Sequence, residues 1–381
     1  MKSNALLKSL QLFLVISFIT SVQAEVPRFY IPDAPPIDAS SYALMDHNSK
    51  TFLAANNENE KRSPASLTKL MTSYVVFKKL KEELITLDDE VKISEKAWRT
   101  GGSRSFIEVG KIIRLEDLLK GMIIQSGNDA SVALAEHVAG SEGTFVLFMN
   151  DYAQQLGMTN SRFENASGLP HEEQYSTAKD MAILSSAMIE EFPEFYKWYS
   201  EKEFTYNNIT QTNRNKLLFT DSTVDGLKTG WTQMAGYCLV TSANRVDMRL
   251  ISVVLGSASP TSRTAETEKL LDYGFRFFET QSVNDITHQV PVYKSKKANI
   301  RVGVADSSFL TLPRNQFKYT TQTINLSGDL VAPIAKGDKV GTLIISFDNK
   351  NIDTFPLIAL DNAIEGGFLT KMVDTVKLLF R

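Results

Sequence analysis

Three short segments carry the groups needed to activate a serine without a histidine: Ser66-Leu-Thr-Lys69, Ser126-Gly-Asn128 and Lys228-Thr-Gly230. A serine hydroxyl is a poor nucleophile at neutral pH and needs an adjacent base. On a helix, a spacing of three sets Lys69 one turn from Ser66 and on the same face. An amine acts as a base only once its proton is gone, which burial and a second nearby cation promote. Lys228 is the cation this sequence offers. Ser126 can pass a proton between Lys69 and a leaving amine, and Asn128 can hold Lys69 or a substrate backbone. A serine at a helix start also offers its own amide where an oxyanion would develop. Singly, each segment reads equally well as a cap, a solvated lysine or a turn. The ordered set points to acyl transfer.

These residues need elements to bring them together. Pro64 suits a first helical turn, and Leu67, Leu70, Met71 and Tyr74 recur at helical spacing. A second helix shows Leu115, Leu118, Leu119 and Met122 on one face, is interrupted by Gln125-Ser-Gly-Asn-Asp129, and gives way to an alanine-rich helix from Ala130. Ser126 and Asn128 are thus expected on a tight loop between helices, with a further helix from Ser176 through Met188. Ala43-Leu-Met and Thr51-Phe-Leu-Ala54 flank the turn-prone Asp46 to Lys50 as a first hairpin. Gly236 to Ser242 and Met248 to Leu255, joined by Asn244-Arg-Val-Asp247, form a second. Helices between early and late strands imply one sheet built from both ends, with a helical insertion. A last helix, Arg263 to Phe278, packs on that sheet.

Composition changes near Gln281. From there to Asp361 come only short strand-like runs separated by turn residues such as Lys336-Gly-Asp338, which predicts a small β-sandwich. No cluster suited to catalysis lies in it. Beyond Gly366-Gly367, at about 100° per residue, Phe368, Leu369, Met372, Val373, Val376, Leu379 and Phe380 share one apolar arc. Lys371, Asp374, Lys377 and Arg381 fall opposite, with Leu378 the exception. Such a helix lies in a membrane interface rather than crossing it; the competing expectation is a helix packed on the protein's own core.

The 381 residues carry a net charge of −3, and nothing in that mild acidity suggests a nucleic-acid partner. Lys2, Lys8, an apolar run from Leu10 to Ile19 and Val22-Gln-Ala24 read as a secretory leader, with mature protein from Glu25 outside the cytoplasm. The lone Cys238 excludes an intramolecular disulfide and, in its apolar run, reads as an inert buried thiol. His47, His137, His171 and His288 make no metal-ligand spacing, so no metal or other cofactor is expected.

The motif set resembles that of penicillin-binding proteins and serine β-lactamases. The resemblance sharpens over Arg62-Ser-Pro-Ala-Ser-Leu-Thr-Lys69-Leu-Met-Thr72, Gly236-Tyr-Cys-Leu-Val240, Tyr273-Gly-Phe-Arg-Phe-Phe278 and Ala332-Pro-Ile-Ala-Lys-Gly-Asp338. Across nearly all of the mature chain it is similar to the D-alanyl-D-alanine carboxypeptidases, low-molecular-mass, membrane-tethered penicillin-binding proteins (S11-type serine peptidases). The resemblance implies an α+β penicillin-binding domain with an antiparallel sheet and a helical subdomain over 25–283, an all-β domain over 284–362, and an amphipathic anchoring helix over 363–381. It implies Ser66 as nucleophile, Lys69 as base and Ser126 as proton relay. Asn128, Lys228, Thr229 and Gly230 would line the substrate site, with Arg263 and Arg214 toward the terminal carboxylate, and the amides of Ser66 and Trp231 as oxyanion donors. Trp231 stands where relatives often have histidine, which bears on substrate preference. The implied partners are peptidoglycan stem peptides, β-lactams and the periplasmic face of the inner membrane. A serine β-lactamase shares the motifs, but the β-domain, the tail and the lack of an E-x-x-L-N segment argue against it. A weakly active β-lactam-binding paralogue remains the third reading.

Overall fold

A computed structural model describes residues 31–305 and 307–380; the expected leader and Arg381 lie outside them. In chain order come β1 (Ser41–Asp46), β2 (Phe52–Asn56), α1 (Thr68–Lys81), β3 (Glu90–Lys92), α2 (Glu95–Arg99), β4 (Ile112–Arg114), α3 (Leu115–Gln125), α4 (Asn128–Ala139), α5 (Glu142–Gln155) and α6 (Ala178–Glu191). There follow α7 (Pro193–Tyr196), β5 (Glu203–Tyr206), β6 (Ile209–Thr212), α8 (Leu217–Thr220), β7 (Val224–Thr232), β8 (Gly236–Arg245), β9 (Met248–Ser257) and α9 (Pro260–Phe277). The remainder is β10 (Phe278–Ser282), β11 (Thr287–Pro291), β12 (Asn299–Val304), β13 (Phe309–Pro313), β14 (Thr321–Leu326), β15 (Lys339–Phe347), β16 (Lys350–Ala359) and α10 (Phe368–Leu379).

The sheet assembled from both chain ends is present, antiparallel, in the order β2-β1-β9-β8-β7. Strand alternation sorts its side chains into two cores. Ala43, Met45, Ile251 and Val253 face the large helical core, whereas Leu44, Leu250 and Val254 face α9 through Leu270, Leu271 and Tyr273. Covering on both faces explains why all six residues of β1 are buried. Helices α1 to α6 form the insertion.

The second domain is all-β, but its strands do not split into two comparable facing sheets. Five form one antiparallel sheet, β11-β12-β16-β15-β14, and β10 pairs with β13 as a separate ribbon. The ribbon's Leu310 and Leu312 share a core with Val302, Leu343 and Leu357 of the sheet, so the ribbon closes over it. Alternation revealed most of these strands but not which would pair, and β10 went unread because it continues α9 without a turn.

A buried polar cluster joins the domains. Asp46, fully buried at the end of β1, accepts from the Ser49 amide at 2.7 Å and hydroxyl at 2.9 Å, and from Thr280 Oγ1 at 2.8 Å. Thr311 Oγ1 completes it, 2.6 Å from Ser49 Oγ and 2.8 Å from Thr280 Oγ1. Asp46→Ala would remove the acceptor of the half-buried Ser49 donors and the buried Thr280 hydroxyl, at a cost of about 1–3 kcal/mol. We therefore expect a lower Tm and faster proteolysis between α9 and β10, with turnover of a small peptide little changed. Unchanged proteolysis would mean the cluster does not hold the junction.

Candidate active site

Ser66 sits in a single 3-10 turn, Ala65–Leu67, directly ahead of α1, and Lys69 is the second residue of that helix. Two backbones press on this turn. At Gly168, with φ of +80°, a Cβ would lie 1.9 Å from the Ala65 carbonyl oxygen, so only glycine fits. At Gly230 of β7 a Cβ would lie 3.1 Å from the Pro64 carbonyl oxygen. Ser126 closes α3 in the left-handed region (φ 70°). Asn128 starts α4 instead of sitting in the loop, and its amide donates to the Ser103 carbonyl at 2.7 Å. Ser126 Oγ is buried with no hydrogen-bond partner among the described residues, as suits a hydroxyl that waits for substrate.

Lys69 Nζ lies 3.1 Å from Ser66 Oγ, 2.6 Å from Asn128 Oδ1 and 2.5 Å from the Ser167 carbonyl oxygen. Both oxygens can only accept. A neutral amine can give them its two N–H groups and keep one lone pair for the Ser66 hydroxyl, and an ammonium can donate to all three oxygens. Burial and then the Arg214 cation push the Lys69 pKa down to about 7, against an opposing pull from Asp129. Asp129 is itself engaged, accepting from the amides of Ser105 at 2.8 Å and Ala130 at 2.9 Å.

Beside the expected Lys228, Arg214 supplies a further cation near Lys69. Lys228 is itself held well below the usual lysine range by burial, then by Lys69, Arg214 and Arg263. Two lysines buried close together cannot both stay charged without cost.

Ser66, Ser126, Asn128, Thr229, Gly230, Trp231, Arg214 and Arg263 line one cleft of about 780 Å³, while Lys69 and Lys228 are buried behind its wall. Arg214 stands between two buried asparagines. Asn213 Oδ1 accepts from the Asn215 amide at 3.0 Å, and Asn215 Nδ2 donates to the Gly226 carbonyl at 3.0 Å. Arg263 donates to the carbonyls of Gly230 at 3.2 Å and Cys238 at 3.4 Å. The Gly230–Trp231 peptide is trans, so its C=O and N–H point oppositely, and pinning the one aims the other. Arg263 thereby orients the Trp231 amide. The indole of Trp231 is half exposed, tilted against Tyr237 at 5.8 Å. Cys238 is fully buried and its thiol pKa is raised by burial, in keeping with an inert side chain.

Residues 29–259 match the family described as D-alanyl-D-alanine carboxypeptidase, Peptidase_S11. The chain belongs to that family. Residues 275–365 match the C-terminal domain of penicillin-binding protein 5. The carboxypeptidase DacC of Escherichia coli K12 is 45% identical over 361 residues, covering 91% of this chain and 90% of DacC. DacA of the same organism is 42% identical over 380 residues, covering 96% and 94%. Penicillin-binding protein 5 from Haemophilus influenzae superposes with a TM-score of 0.82 at 42% identity, covering 87% of this chain and 99% of that one.

Sequence reasoning missed one member of this S11 site, the Ser167 carbonyl. It is aimed by a turn in which Asn165 Oδ1 accepts from the amides of Ser167 at 3.2 Å, Gly168 at 2.7 Å and Leu169 at 3.1 Å. The signal was available in Asn165-Ala-Ser-Gly168, whose asparagine and glycine favour such a turn.

Because Lys69 must be neutral to act, acylation by a β-lactam should rise with pH through about 7 and level off above it. Lys69→Arg should lose at least about 100-fold, since guanidinium keeps its proton. Arg214→Gln, removing the cation, should move the midpoint of the profile to higher pH. A flat profile, or a midpoint indifferent to Arg214, would contradict this assignment.

Proposed function

We propose that this chain is a serine D-Ala-D-Ala carboxypeptidase that removes the terminal D-alanine from peptidoglycan pentapeptide stems through an ester on Ser66, and that β-lactams acylate the same serine. The observation that carries this reading is a buried Lys69 amine, its pKa lowered to about 7, lying 3.1 Å from Ser66 Oγ. Lys69 takes the proton as Ser66 Oγ bonds to the carbonyl carbon of the penultimate D-alanine. The amides of Ser66 and Trp231 hold the oxyanion. As the C–N bond breaks, the departing nitrogen receives that proton by way of the Ser126 hydroxyl. Water then attacks the ester, again giving its proton to Lys69, and Ser66 Oγ leaves as the hydroxyl. Thr229, Arg214 and Lys228 take the terminal carboxylate, whose negative charge favours the charged form of Lys228. Asn128 positions Lys69, and Arg263 positions the Trp231 amide.

The localisation is part of the same reading. The leader over 1–24 sends the chain across the cytoplasmic membrane, and the helix over 363–381 holds it peripherally to the outer face of that membrane, in the periplasm. Support comes from the way α10 docks. Its one buried residue is Asp374, which accepts from the Lys294 amide at 2.7 Å and Lys377 Nζ at 2.9 Å. Leu378, the exception to the apolar arc, is half-buried, while Phe368, Leu369 and Phe380 are 81%, 71% and 88% exposed. The helix thus rests on its polar side, against the expectation that its apolar side packs on the core. Among the described residues no helix is long and apolar enough to cross a membrane.

Ser66→Ala should abolish both D-alanine release from a pentapeptide and labelling by a fluorescent penicillin. Labelling that persists at another serine would refute the nucleophile assignment, and β-lactam hydrolysis outpacing D-alanine release would favour a β-lactamase.

A chain ending at Gly366 should no longer sediment with membranes yet keep full activity on a small peptide. Sedimentation as complete as that of the full chain would place the anchor elsewhere.

A further inference from the structure

The loop that docks α10 also builds a basic pocket. Lys296, Lys297 and Lys336 rim a cavity of about 440 Å³ whose floor includes Asp361 and whose edge is Ile364. The backbones under these lysines are pinned. Lys296 N donates to the Ile364 carbonyl at 2.9 Å, Lys297 N to Ser295 Oγ at 3.1 Å, and Lys336 N to Asn362 Oδ1 at 2.7 Å. Their ammonium groups carry no ion pair among the described residues. Asp361, the carboxylate in the pocket, is already engaged by Arg301 at 2.9 and 3.1 Å. Asp361 also feels Lys297, but with Arg301 holding it the pocket carries more positive than negative charge.

Its position narrows the occupant. Lys294 holds Asp374 of α10 through its amide and Gly366 through its carbonyl at 2.8 Å, and Lys296 and Lys297 follow directly. Ile364 at the rim is 63% exposed, and the exposed apolar face of α10 starts four residues later. Positive charge and unburied apolar surface thus share one end of the β-domain, the pairing that an anionic lipid surface complements. Net charge follows the same polarity. Residues 284–381 hold twelve Lys and Arg against nine Asp and Glu, a net +3, which leaves −6 for residues 1–283. An anionic surface would attract the β-domain end and repel the catalytic end.

We propose that this pocket binds the phosphate headgroup of an anionic phospholipid and sets the orientation of the enzyme on the membrane. The proposal rests on the membrane reading above, which needs only α10. Compact ammonium charges suit a phosphodiester held in no single geometry.

The test uses the mature full-length chain with phosphatidylcholine vesicles, with and without phosphatidylglycerol. A K296Q/K297Q/K336Q variant is compared with K61Q/K92Q/K350Q, which removes equal charge outside the pocket. Because each lysine near an anionic surface adds attraction, the pocket variant should lose at least about tenfold in binding to the phosphatidylglycerol vesicles. It should bind phosphatidylcholine unchanged, and the control variant should change less than about threefold on either vesicle. Equal losses in the two variants, or none in the pocket variant, would overturn the headgroup site while leaving the membrane reading intact. Tighter binding of free glycerol phosphate than of the phosphatidylglycerol vesicles would also overturn it, assigning the pocket to a soluble anion. Failure of the wild type to bind either vesicle would refute the membrane reading and this proposal together.

Discussion

A lysine buried without a carboxylate partner is the constraint on which the rest of this structure depends. With a folded-state pKa of about 7, Lys69 binds fewer protons in the fold than in the unfolded chain between about pH 7 and 10.5. Stability therefore rises with pH across that window. Below it the penalty is complete, on the order of 5 kcal/mol, comparable to the whole net stability of a typical domain. The fold must offset this with the two-sided burial of the central sheet. An acid placed against Lys69 would relieve the strain and end its use as a base. The nearest one, Asp129, instead spends an oxygen on the amides of Ser105 and Ala130.

The same constraint explains why the site is drawn from four regions of the chain. Depressing an amine requires low dielectric on every side, which no single helix or hairpin can supply. The 3-10 turn before α1, the α3–α4 junction and β7 close in on it, and the loop of Asn165 to Gly168 seals the fourth side. Glycine appears where that closure is tightest: Gly168 against Ala65 and Gly230 against Pro64. Any side chain at Gly168 would push the nucleophile's turn away from its base. Asn128 and the Ser167 carbonyl then satisfy the amine with acceptors alone, so neither protonation state leaves a hydrogen bond unmade.

What could be read in the sequence follows the range of the interactions involved. Ser66 and Lys69 were legible because their contact is one helical turn long. The early and late hairpins were legible because a turn and strand alternation are local signals. Arg214 as the cation beside Lys69 was not, because it depends on Asn213 and Asn215 fastening a distant loop to β7. The lowered pKa of Lys228 was out of reach for a related reason, since burial and its cationic neighbours oppose the charge its residue type suggests. In the β-domain, alternation gave most of the strands, but pairing β10 with β13 depends on contacts thirty residues apart. Separating one sheet and a ribbon from a sandwich was beyond a local pattern.

The tail shows how little decides between two outcomes of equal periodicity. An amphipathic helix with seven apolar residues on one arc can bury that arc against its own domain or leave it outside, and hydrophobic spacing is identical in both cases. Here the choice turns on Asp374. A carboxylate can be buried only where donors meet it, and the Lys294 amide and Lys377 ammonium meet it on the polar side of α10. Once that side is committed to the β-domain, the opposite arc is left uncovered among the described residues. The polar residues, not the apolar ones, set the orientation of the helix.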